Sequence, residues 1–284
     1  MKLEASTVLL TGAAGGIGSA IARELSAKGA KLLLTDLNEQ ALVNLVAEIE
    51  GSSGSARAIA ADISSETDRK RLVSDAQSAG VNVLINAAGL NPFALLEDQP
   101  PEKIALAVSV NLVAPILLSK VMLPVLNRCD SGHIVNIGSS FGSIGFAGFS
   151  TYCATKFAMR GFSEAMRREL ADTHIKVHYV APRATETPLA TDDIRAMNKE
   201  LGVGMDTPEI VARAVASVLQ RESREFHLGV PERIYAVINA LAPGLVDRAL
   251  ARQLPIIRYY AKRTNSKLAP SDRIEDQPKL VETH

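Results

Sequence analysis

The stretch Thr11-Gly12-Ala13-Ala14-Gly15-Gly16-Ile17-Gly18 lies between a short apolar run, residues 7–10, and a segment whose apolar residues have helical spacing, residues 17–28. The run predicts a buried strand, and the segment predicts a helix that Gly29 ends. A glycine-rich turn placed between them lets the backbone approach a pyrophosphate, while the helix N-terminus offers free N–H groups. The alternative, a turn that only needs positive φ, does not require this placement, so the stretch predicts a dinucleotide-binding unit.

The rest of the chain continues to alternate between strand and helix patterns. Predicted strands cover residues 31–35, 57–61, 81–85, 133–137, 175–180 and 225–228, and predicted helices cover 38–50, 66–79, 101–127, 151–171 and 207–219. Alternation of this kind predicts a parallel sheet with helices on both faces. The predicted fold class is α/β, a Rossmann-type doubly wound parallel sheet of about seven strands flanked by helices, with a C-terminal helical extension.

Three regions are predicted along the chain. Residues 1–230 are predicted to form a Rossmann-fold dinucleotide-binding and catalytic domain, residues 231–263 a helical extension, and residues 264–284 a polar, loosely ordered tail. The extension has an approximate helical stripe of apolar residues that is interrupted at Pro243-Gly244.

The composition is that of an ordinary globular protein, with 284 residues, 47% of them hydrophobic and 22% charged. Because cations and acids both number 31, the zero net charge argues against a general nucleic-acid binder. Two cysteines provide neither a metal-ligand set nor a disulfide framework, so no metal is predicted. The N-terminus lacks the apolar stretch of a signal peptide, and we found no long uninterrupted apolar run, so we expect a cytoplasmic protein without a spanning helix.

The second predicted strand ends at an acid, Asp36, 18 residues beyond Gly18. A carboxylate here accepts hydrogen bonds from the adenosine ribose hydroxyls and repels a 2′-phosphate. Neither Gly15 nor Leu37 supplies a positive charge for that phosphate. The residues therefore favour NAD(H), with NADP(H) as the less favoured cofactor.

From this point the chain resembles the short-chain dehydrogenase/reductase family, over roughly residues 5–230. The turn at residues 11–18 is similar to that family's TGxxxGxG motif, and Asn86-Ala87-Ala88-Gly89 is similar to its Asn-Asn-Ala-Gly segment, with Ala87 in place of the second Asn. Pro182 and Thr187 fit the segment after the sixth strand, but Arg183 replaces the family's glycine and is expected either to point to the surface or to touch substrate or cofactor.

The resemblance implies a set of site residues. Those implied to bind the cofactor, together with the acid already discussed, are Gly12, Ala14, Gly16, Ile17, Gly18, Asp36, Asp62, Ile63, Asn86, Ala87, Gly89, Tyr152, Lys156, Pro182 and Thr187. Those at the four catalytic positions are Asn111, Ser139, Tyr152 and Lys156. It also implies that Asp62 contacts adenine, that Lys156 holds the nicotinamide ribose, and that Asn111 positions a water; the alternative for Asn111 is a polar group that satisfies backbone within a long helix.

The residue types themselves suit proton transfer. Tyr152 and Lys156 are four apart on a predicted helix, so they share a face. A free tyrosine has a pKa of about 10, and a positive charge at ~4 Å contributes about 4 kcal/mol, enough to lower that pKa by ~3 units. Ser139 follows a predicted strand and can donate to a substrate oxygen on which charge develops. We therefore expect Tyr152 to act as the acid or base.

Apolar residues near these positions indicate a substrate with a sizeable apolar body. Between Ser139 and Tyr152 they are Phe141, Ile144, Phe146 and Phe149, and after the fourth strand they are Leu90, Pro92 and Phe93. Such side chains line small-molecule sites, although core or dimer contacts are the alternative. Residues 188–206 are predicted to form a mobile lid in which Leu189, Ile194, Met197 and Leu201 close over an apolar ligand.

Residues 245–263 carry five cations and one acid, with Leu, Ile and Tyr interleaved. The pattern is typical of a weak peripheral membrane contact. The alternative, a helix pair packed on the same or a neighbouring subunit, is favoured.

The sequence is compatible with three functions. The leading one is an oxidoreductase that transfers a hydride between NAD(H) and a small-molecule alcohol or carbonyl compound, active as a homodimer or homotetramer and with no nucleic-acid partner. The second is an NADPH-dependent 3-oxoacyl-thioester reductase, against which Asp36 argues. The third is a non-enzymatic NAD-sensing protein, which would not need the four catalytic residues.

Overall fold

Seven strands, all paired parallel, form the central sheet of the computed structural model, which describes residues 1–266. The strands are β1 (Thr7–Thr11), β2 (Lys31–Asp36), β3 (Ser55–Ala60), β4 (Val83–Asn86), β5 (Gly132–Ile137), β6 (Ile175–Ala181) and β7 (Glu225–His227). Their order is β3-β2-β1-β4-β5-β6-β7, so the direction of winding reverses between β1 and β4. The predicted fold class is confirmed, and ligands of such sheets bind at this reversal, outside the carboxyl ends of the strands.

Eight helices lie in the connections between the seven strands. They are α1 (Gly16–Ala27), α2 (Glu39–Gly51), α3 (Glu66–Ala79), α4 (Pro101–Val108), α5 (Ala114–Leu126), α6 (Ser150–Glu169), α7 (Asp192–Glu200) and α8 (Pro208–Arg221). Because successive strand residues point to opposite faces, Leu10 and Ile85 pack with α1, α2 and α8, while Leu9 and Leu84 pack with α3, α5 and α6. Both faces are thus buried, as a parallel sheet requires.

The helices α4 and α5 are one continuous rod, joined by a wide turn at Ser109–Val113. Turns of this kind add one residue to the helical turn and are frequent at functional sites. The rod Pro101–Leu126 is long and apolar enough to cross a membrane by length and composition alone, a property that core helices of soluble proteins share. Its inner side packs on α3 and α6, which is how a layer helix of this fold is held.

The C-terminal extension consists of α9 (Val230–Leu241), α10 (Pro243–Ala251) and α11 (Leu254–Ser266). The break between α9 and α10 lies at Ala242, beside the predicted interruption, and the two helices meet at a bend of 120°. The predicted polar tail begins inside α11, and its residues 267–284 lie outside the described part of the chain.

The helix α11 packs against α7 and the body of the protein. Of the residues considered for membrane contact in 245–263, Ile257 and Tyr260 are buried in a cluster with Phe93, Phe149 and Met197. For these two the favoured alternative, packing on the same subunit, is confirmed. Leu245 and Tyr259 remain exposed.

Candidate active site

The glycine-rich turn runs against the segment that follows β4. Gly12 has a φ of +66°, and a Cβ placed on it would lie 2.6 Å from the Ala88 backbone, so only glycine fits. The N-cap residue of α1 is Gly15, which has no side chain to cap the helix, so the first N–H groups of the helix stay available. A close backbone approach and an uncapped helix N-terminus are the features that a pyrophosphate needs, so these residues fit a dinucleotide.

Thr11 fastens β1 to the segment after β4. Its buried hydroxyl accepts from Ala87 N at 3.1 Å and from Ala88 N at 3.3 Å. The predicted cofactor residues Gly12, Ala87 and Gly89 therefore share one edge of the sheet.

Thr187 reaches the same turn from the far side of the sheet. A Cβ placed on Gly16 would lie 2.9 Å from the Thr187 Cβ, so the two predicted cofactor residues are in direct proximity. The carbonyl of Thr187 accepts from Arg195 Nη2 at 3.0 Å, which ties this segment to α7.

Asp36 lies beside the turn, as its position predicts. Its carboxylate accepts from Ala14 N at 3.1 Å and from Asn38 N at 3.2 Å. Leu37, the next residue, is 74% exposed. A fixed carboxylate with a neutral neighbour is suited to ribose hydroxyls and unsuited to a 2′-phosphate.

The segment after β3 is held by its own side chains. Asp62 accepts from the backbone N and the hydroxyl of Ser64 at 2.8 and 2.7 Å. Ile63 packs its side chain into the core, and its carbonyl accepts from the buried Arg69 at 2.8 Å. Sequence reasoning did not select Arg69; a long cation among helix residues gives no sign that it turns inward.

Asn86 directs its side chain into a buried polar network. Its Nδ2 donates to Asn136 Oδ1 at 2.8 Å and to Ser119 Oγ at 3.2 Å, and Asn136 in turn donates to Ser163 Oγ at 2.9 Å. Asn86 Oδ1 is buried without a hydrogen-bond partner among the described residues. The network joins the carboxyl ends of β4 and β5 to α5 and α6.

Asn111 lies in the wide turn between α4 and α5 and clamps the backbone of Leu90. It accepts from Leu90 N at 2.7 Å and donates to Leu90 O at 2.9 Å. Its Nδ2 also lies 3.2 Å from Thr155 Oγ1, which donates to Tyr152 O at 2.8 Å. Asn111 therefore satisfies backbone groups, which is the alternative role given for it above. Its contacts also connect the segment after β4 to α6, the helix of Tyr152.

Ser139, Tyr152 and Lys156 come together at the carboxyl end of β5. Ser139 is buried, and its Oγ accepts from Phe141 N at 3.1 Å. Lys156 donates to Ile137 O at 3.0 Å, and its Nζ lies 5.5 Å from the centroid of the Tyr152 ring. A Cβ on Gly89 would be 3.9 Å from the same Nζ, so the segment after β4 borders this cluster.

Burial dominates the protonation of this pair. It raises the pKa of Tyr152 to about 12, against the opposing effect of a hydrogen bond with the Ser139 side chain. It lowers the pKa of Lys156 to about 8. The sequence-based expectation of a lowered Tyr152 pKa is not met in this arrangement, because desolvation of the buried phenol has the largest effect.

Arg183, the departure from the family pattern, neither points freely to the surface nor faces the catalytic cluster. It donates to both carboxylate oxygens of Asp206, at 2.9 and 2.6 Å, and lies 3.6 Å from Glu232 on α9. These two acids raise its pKa above the usual range. The bidentate pair fixes the segment between β6 and α8 at both ends of the predicted lid.

An aromatic cluster adjoins Tyr152. The ring of Phe141 stacks on Phe146 at 5.2 Å and meets the Tyr152 ring edge-on at 6.3 Å, and Phe93 stacks on Phe149 at 4.8 Å. In the segment predicted to form a lid, α7 buries Ile194 and Met197 against this cluster, whereas Leu189 is exposed and Leu201 packs partly buried at its margin.

The helix α11 closes the cluster from outside and is latched to α7. Arg263 lies 2.8 Å from Asp193, Thr264 donates to Asp193 at 3.1 Å, and Tyr260 donates to Glu200 at 3.0 Å. This latch was missed by sequence reasoning, because residues about 70 apart carry no shared periodicity.

Comparison with known proteins agrees with this geometry. A family model described as short chain dehydrogenase matches residues 6–198, and the chain belongs to the short-chain dehydrogenase/reductase family. Like its relatives it is an NAD(P)-dependent oxidoreductase. A ketoacyl reductase, HetN, from Nostoc sp. (strain PCC 7120) is 29% identical over 99% of this chain and 98% of its own.

Two solved structures carry different cofactors. The 3-ketoacyl-(acyl-carrier-protein) reductase from Brucella melitensis, complexed with NADH, is 27% identical with a TM-score of 0.73, covering 80% of this chain and 97% of that one. A metagenomic short-chain oxidoreductase in complex with NADP is 30% identical with a TM-score of 0.64, covering 75% and 90%. The family relationship therefore supports either dinucleotide and leaves the choice to the residues of this chain.

Proposed function

We propose that the protein transfers a hydride between NAD(H) and an alcohol or carbonyl compound that has a sizeable apolar body. The observation that carries the proposal is the contact of Tyr152 with both the Ser139 side chain and the ring of Phe141, so that a proton donor adjoins the aromatic cluster. An apolar cluster beside a few polar groups is the usual composition of a small-molecule site.

In this mechanism a bound nicotinamide would supply or accept the hydride, held by residues of the glycine-rich turn and by Lys156. Tyr152, whose raised pKa keeps its phenol protonated at neutral pH, donates its proton to the carbonyl oxygen of the substrate. The Ser139 hydroxyl donates a second hydrogen bond to the same oxygen, where negative charge develops. The nearby Lys156 cation stabilises the phenolate that results.

The cofactor preference follows from Asp36. Two backbone N–H groups fix the Asp36 carboxylate, which is suited to accept hydrogen bonds from the ribose hydroxyls and to repel a 2′-phosphate. We therefore propose NAD(H) as the working cofactor, with NADP(H) bound more weakly.

A substrate series tests the proposal. With NADH in excess, kcat/KM is measured for carbonyl compounds that differ only in the length of an apolar chain. Burial of each added methylene contributes about 0.8 kcal/mol, so we expect about a fourfold rise per methylene until the cluster is filled. A flat series, or a preference for the smallest members, would contradict the proposed apolar substrate.

A 3-oxoacyl thioester is the second candidate substrate, supported by the names of HetN and the Brucella melitensis reductase. Such a reductase would be expected to reduce a 3-oxoacyl thioester faster than a simple ketone of equal length. Measuring both substrates with NADH and with NADPH separates this candidate from the first. The relatives are oxidoreductases, which favours an enzyme over the NAD-sensing protein.

We also propose a cytoplasmic homodimer or homotetramer. Large apolar side chains are exposed on α4, on the wide turn between α4 and α5, and on α6, namely Leu106, Val113 and Phe157. Exposed apolar groups on adjacent helices are typical of an interface between subunits. Sedimentation of Phe157→Glu beside the wild type tests this, with a shift to smaller species expected.

A further inference from the structure

The outer face of α9 is apolar although it faces away from the protein. Val230, Ile234, Val237 and Leu241 follow one another at intervals of four, three and four residues, so they form one stripe along the helix. All four are more than half exposed, and Leu241 reaches 81%. An amphipathic helix normally turns this stripe inward.

The opposite face of α9 holds the helix to the body of the protein. Asn239 donates to Ser143 O at 3.0 Å, and Glu232 lies 3.6 Å from Arg183. Both residues belong to the face at positions 232, 236 and 239, where Ala236 is partly buried. The apolar stripe is thus held outward by contacts on the reverse side of the helix.

The stripe continues into α10 and is bordered by cations. Leu245 is 60% exposed, and Arg248 and Arg252 follow it three and seven residues later, on the same face. Arg233 borders the stripe on α9. In the described residues 1–266, these three arginines form no ion pair, so their charges are available to a partner.

We propose that this outward face, Val230 to Arg252, docks on an anionic lipid bilayer. The α9–α10 pair is as apolar as a membrane-spanning segment, but its 120° bend prevents a straight crossing. A bent pair with apolar residues at the bend and arginines beside them is suited to lie in the plane of the interface. The lipid surface therefore covers the apolar side chains, and its anionic headgroups meet the arginines.

A second copy of the chain is a poorer occupant because of charge. The stretch 230–252 contains three cations and two acids, of which Glu232 is turned to Arg183 on the reverse side, and a two-fold contact through this face would put the arginines of both copies into one interface. Like charges opposed across an interface are unfavourable. An anionic surface is complementary to the same arrangement.

The test is sedimentation of the full-length protein with phosphatidylcholine vesicles, prepared with and without phosphatidylglycerol, at low and physiological salt. Two paired variants remove the apolar and the cationic contributions separately: Leu241→Ser with Leu245→Ser, and Arg248→Gln with Arg252→Gln. Val43→Ser, at a half-exposed valine on α2, is the matched control. Melting temperature and NADH fluorescence establish that each variant is folded.

We expect the wild type and the control to bind vesicles that contain phosphatidylglycerol at low salt. The leucine pair is expected to lower the partition coefficient at least about tenfold, since each leucine buries a full side chain. The arginine pair is expected to remove the preference for phosphatidylglycerol, and salt is expected to weaken wild-type binding by screening over about 8 Å at 0.15 M.

Two results would overturn the proposal. One is a folded wild type that does not sediment with phosphatidylglycerol vesicles at low salt, or that sediments equally well in all variants. The other is an oligomer that dissociates in the leucine pair while vesicle binding is absent, which assigns the face to a second copy. Neither result affects the hydride-transfer proposal, whose readout is kcat/KM on dissolved substrates.

Discussion

Lowering the pH from 7 to 5 is expected to reduce the free energy of unfolding by about 2 kcal/mol through one residue, His133. His133 on β5 is fully buried beside His178 on β6, with the two rings stacked at 5.3 Å. Three hydrogen bonds run through the pair: Ser131 Oγ to His133 Nε2 at 2.9 Å, His133 Nδ1 to His178 Nε2 at 3.0 Å, and His178 Nδ1 to Ser223 O at 2.7 Å.

The Ser223 carbonyl determines where the protons lie in this series of hydrogen bonds, because a carbonyl oxygen can only accept a hydrogen bond. His178 therefore carries its proton on Nδ1, its Nε2 accepts from His133 Nδ1, and His133 Nε2 accepts from the Ser131 hydroxyl. Each ring holds one proton and is neutral. Burial, followed by the repulsion between the two rings, lowers the pKa of His133 from 6.5 to about 4.

The sign and size of the effect follow from that shift. Between pH 6.5 and pH 4 the unfolded chain binds more protons than the folded one, so the folded state loses stability as the pH falls. The stability that His133 contributes is fully present above about pH 6.5. About 3 kcal/mol of it is lost by pH 4, at about 1.4 kcal/mol per pKa unit. Burial also lowers the pKa of His178, which acts in the same direction.

Urea unfolding at pH 7 and pH 5, at one protein concentration, measures this loss in the wild type and in His133→Asn. The variant is expected to be less stable at pH 7 but to lose less stability between the two pH values, because its residue 133 does not titrate. An equal loss in both proteins would refute the assignment of the pH dependence to the histidine pair.

Three further predictions concern the site. Tyr152→Phe is expected to lower turnover at least about 100-fold while NADH fluorescence titration gives an unchanged Kd, because only general acid catalysis is removed; near-normal turnover would exclude Tyr152 as the proton donor. The wild type is expected to bind NADH more tightly than NADPH, and Asp36→Ala combined with Leu37→Arg is expected to narrow or reverse that preference, whereas equal wild-type affinities would defeat the interpretation of Asp36. Arg263→Ala is expected to raise KM for apolar substrates by loosening the lid while the Kd of NADH stays the same; the control is Arg258→Ala on the same helix, at an exposed arginine with no ion pair within residues 1–266. Equal KM values in the two variants would show that the latch does not hold the lid.

Much of the fold could be predicted because its determinants are local. Apolar runs and helical spacing give the type of each element, and the predicted helix at 66–79 matches α3 at both ends. The positions of the turn after β1 and of the acid at the end of β2 could be predicted without tertiary information, because a parallel sheet brings the carboxyl ends of its strands to one edge. Gly12, Asp36 and Ser139 therefore lie where the sequence predicts.

Other features depend on which distant side chains meet. Arg183 faces Asp206 across 23 residues, and nothing in the local pattern selects that partner. The pKa of Tyr152 was predicted from a charge at an assumed distance, whereas its burial, which decides the sign, depends on the whole packing around the site. For the same reason the inward turn of Asn86 could not be anticipated from its place in a motif.

The latch between α11 and α7 also has a consequence for how the molecule is made. The strands, the cofactor turn and the proton-transfer cluster are complete by residue 227, but the outer wall of the aromatic cluster arrives only with Ile257 and Tyr260. During synthesis the cofactor half is therefore finished before the substrate half is enclosed. A chain that stops early, or one whose last helix is displaced by a bulky tag, would keep its sheet while leaving the aromatic cluster open to water.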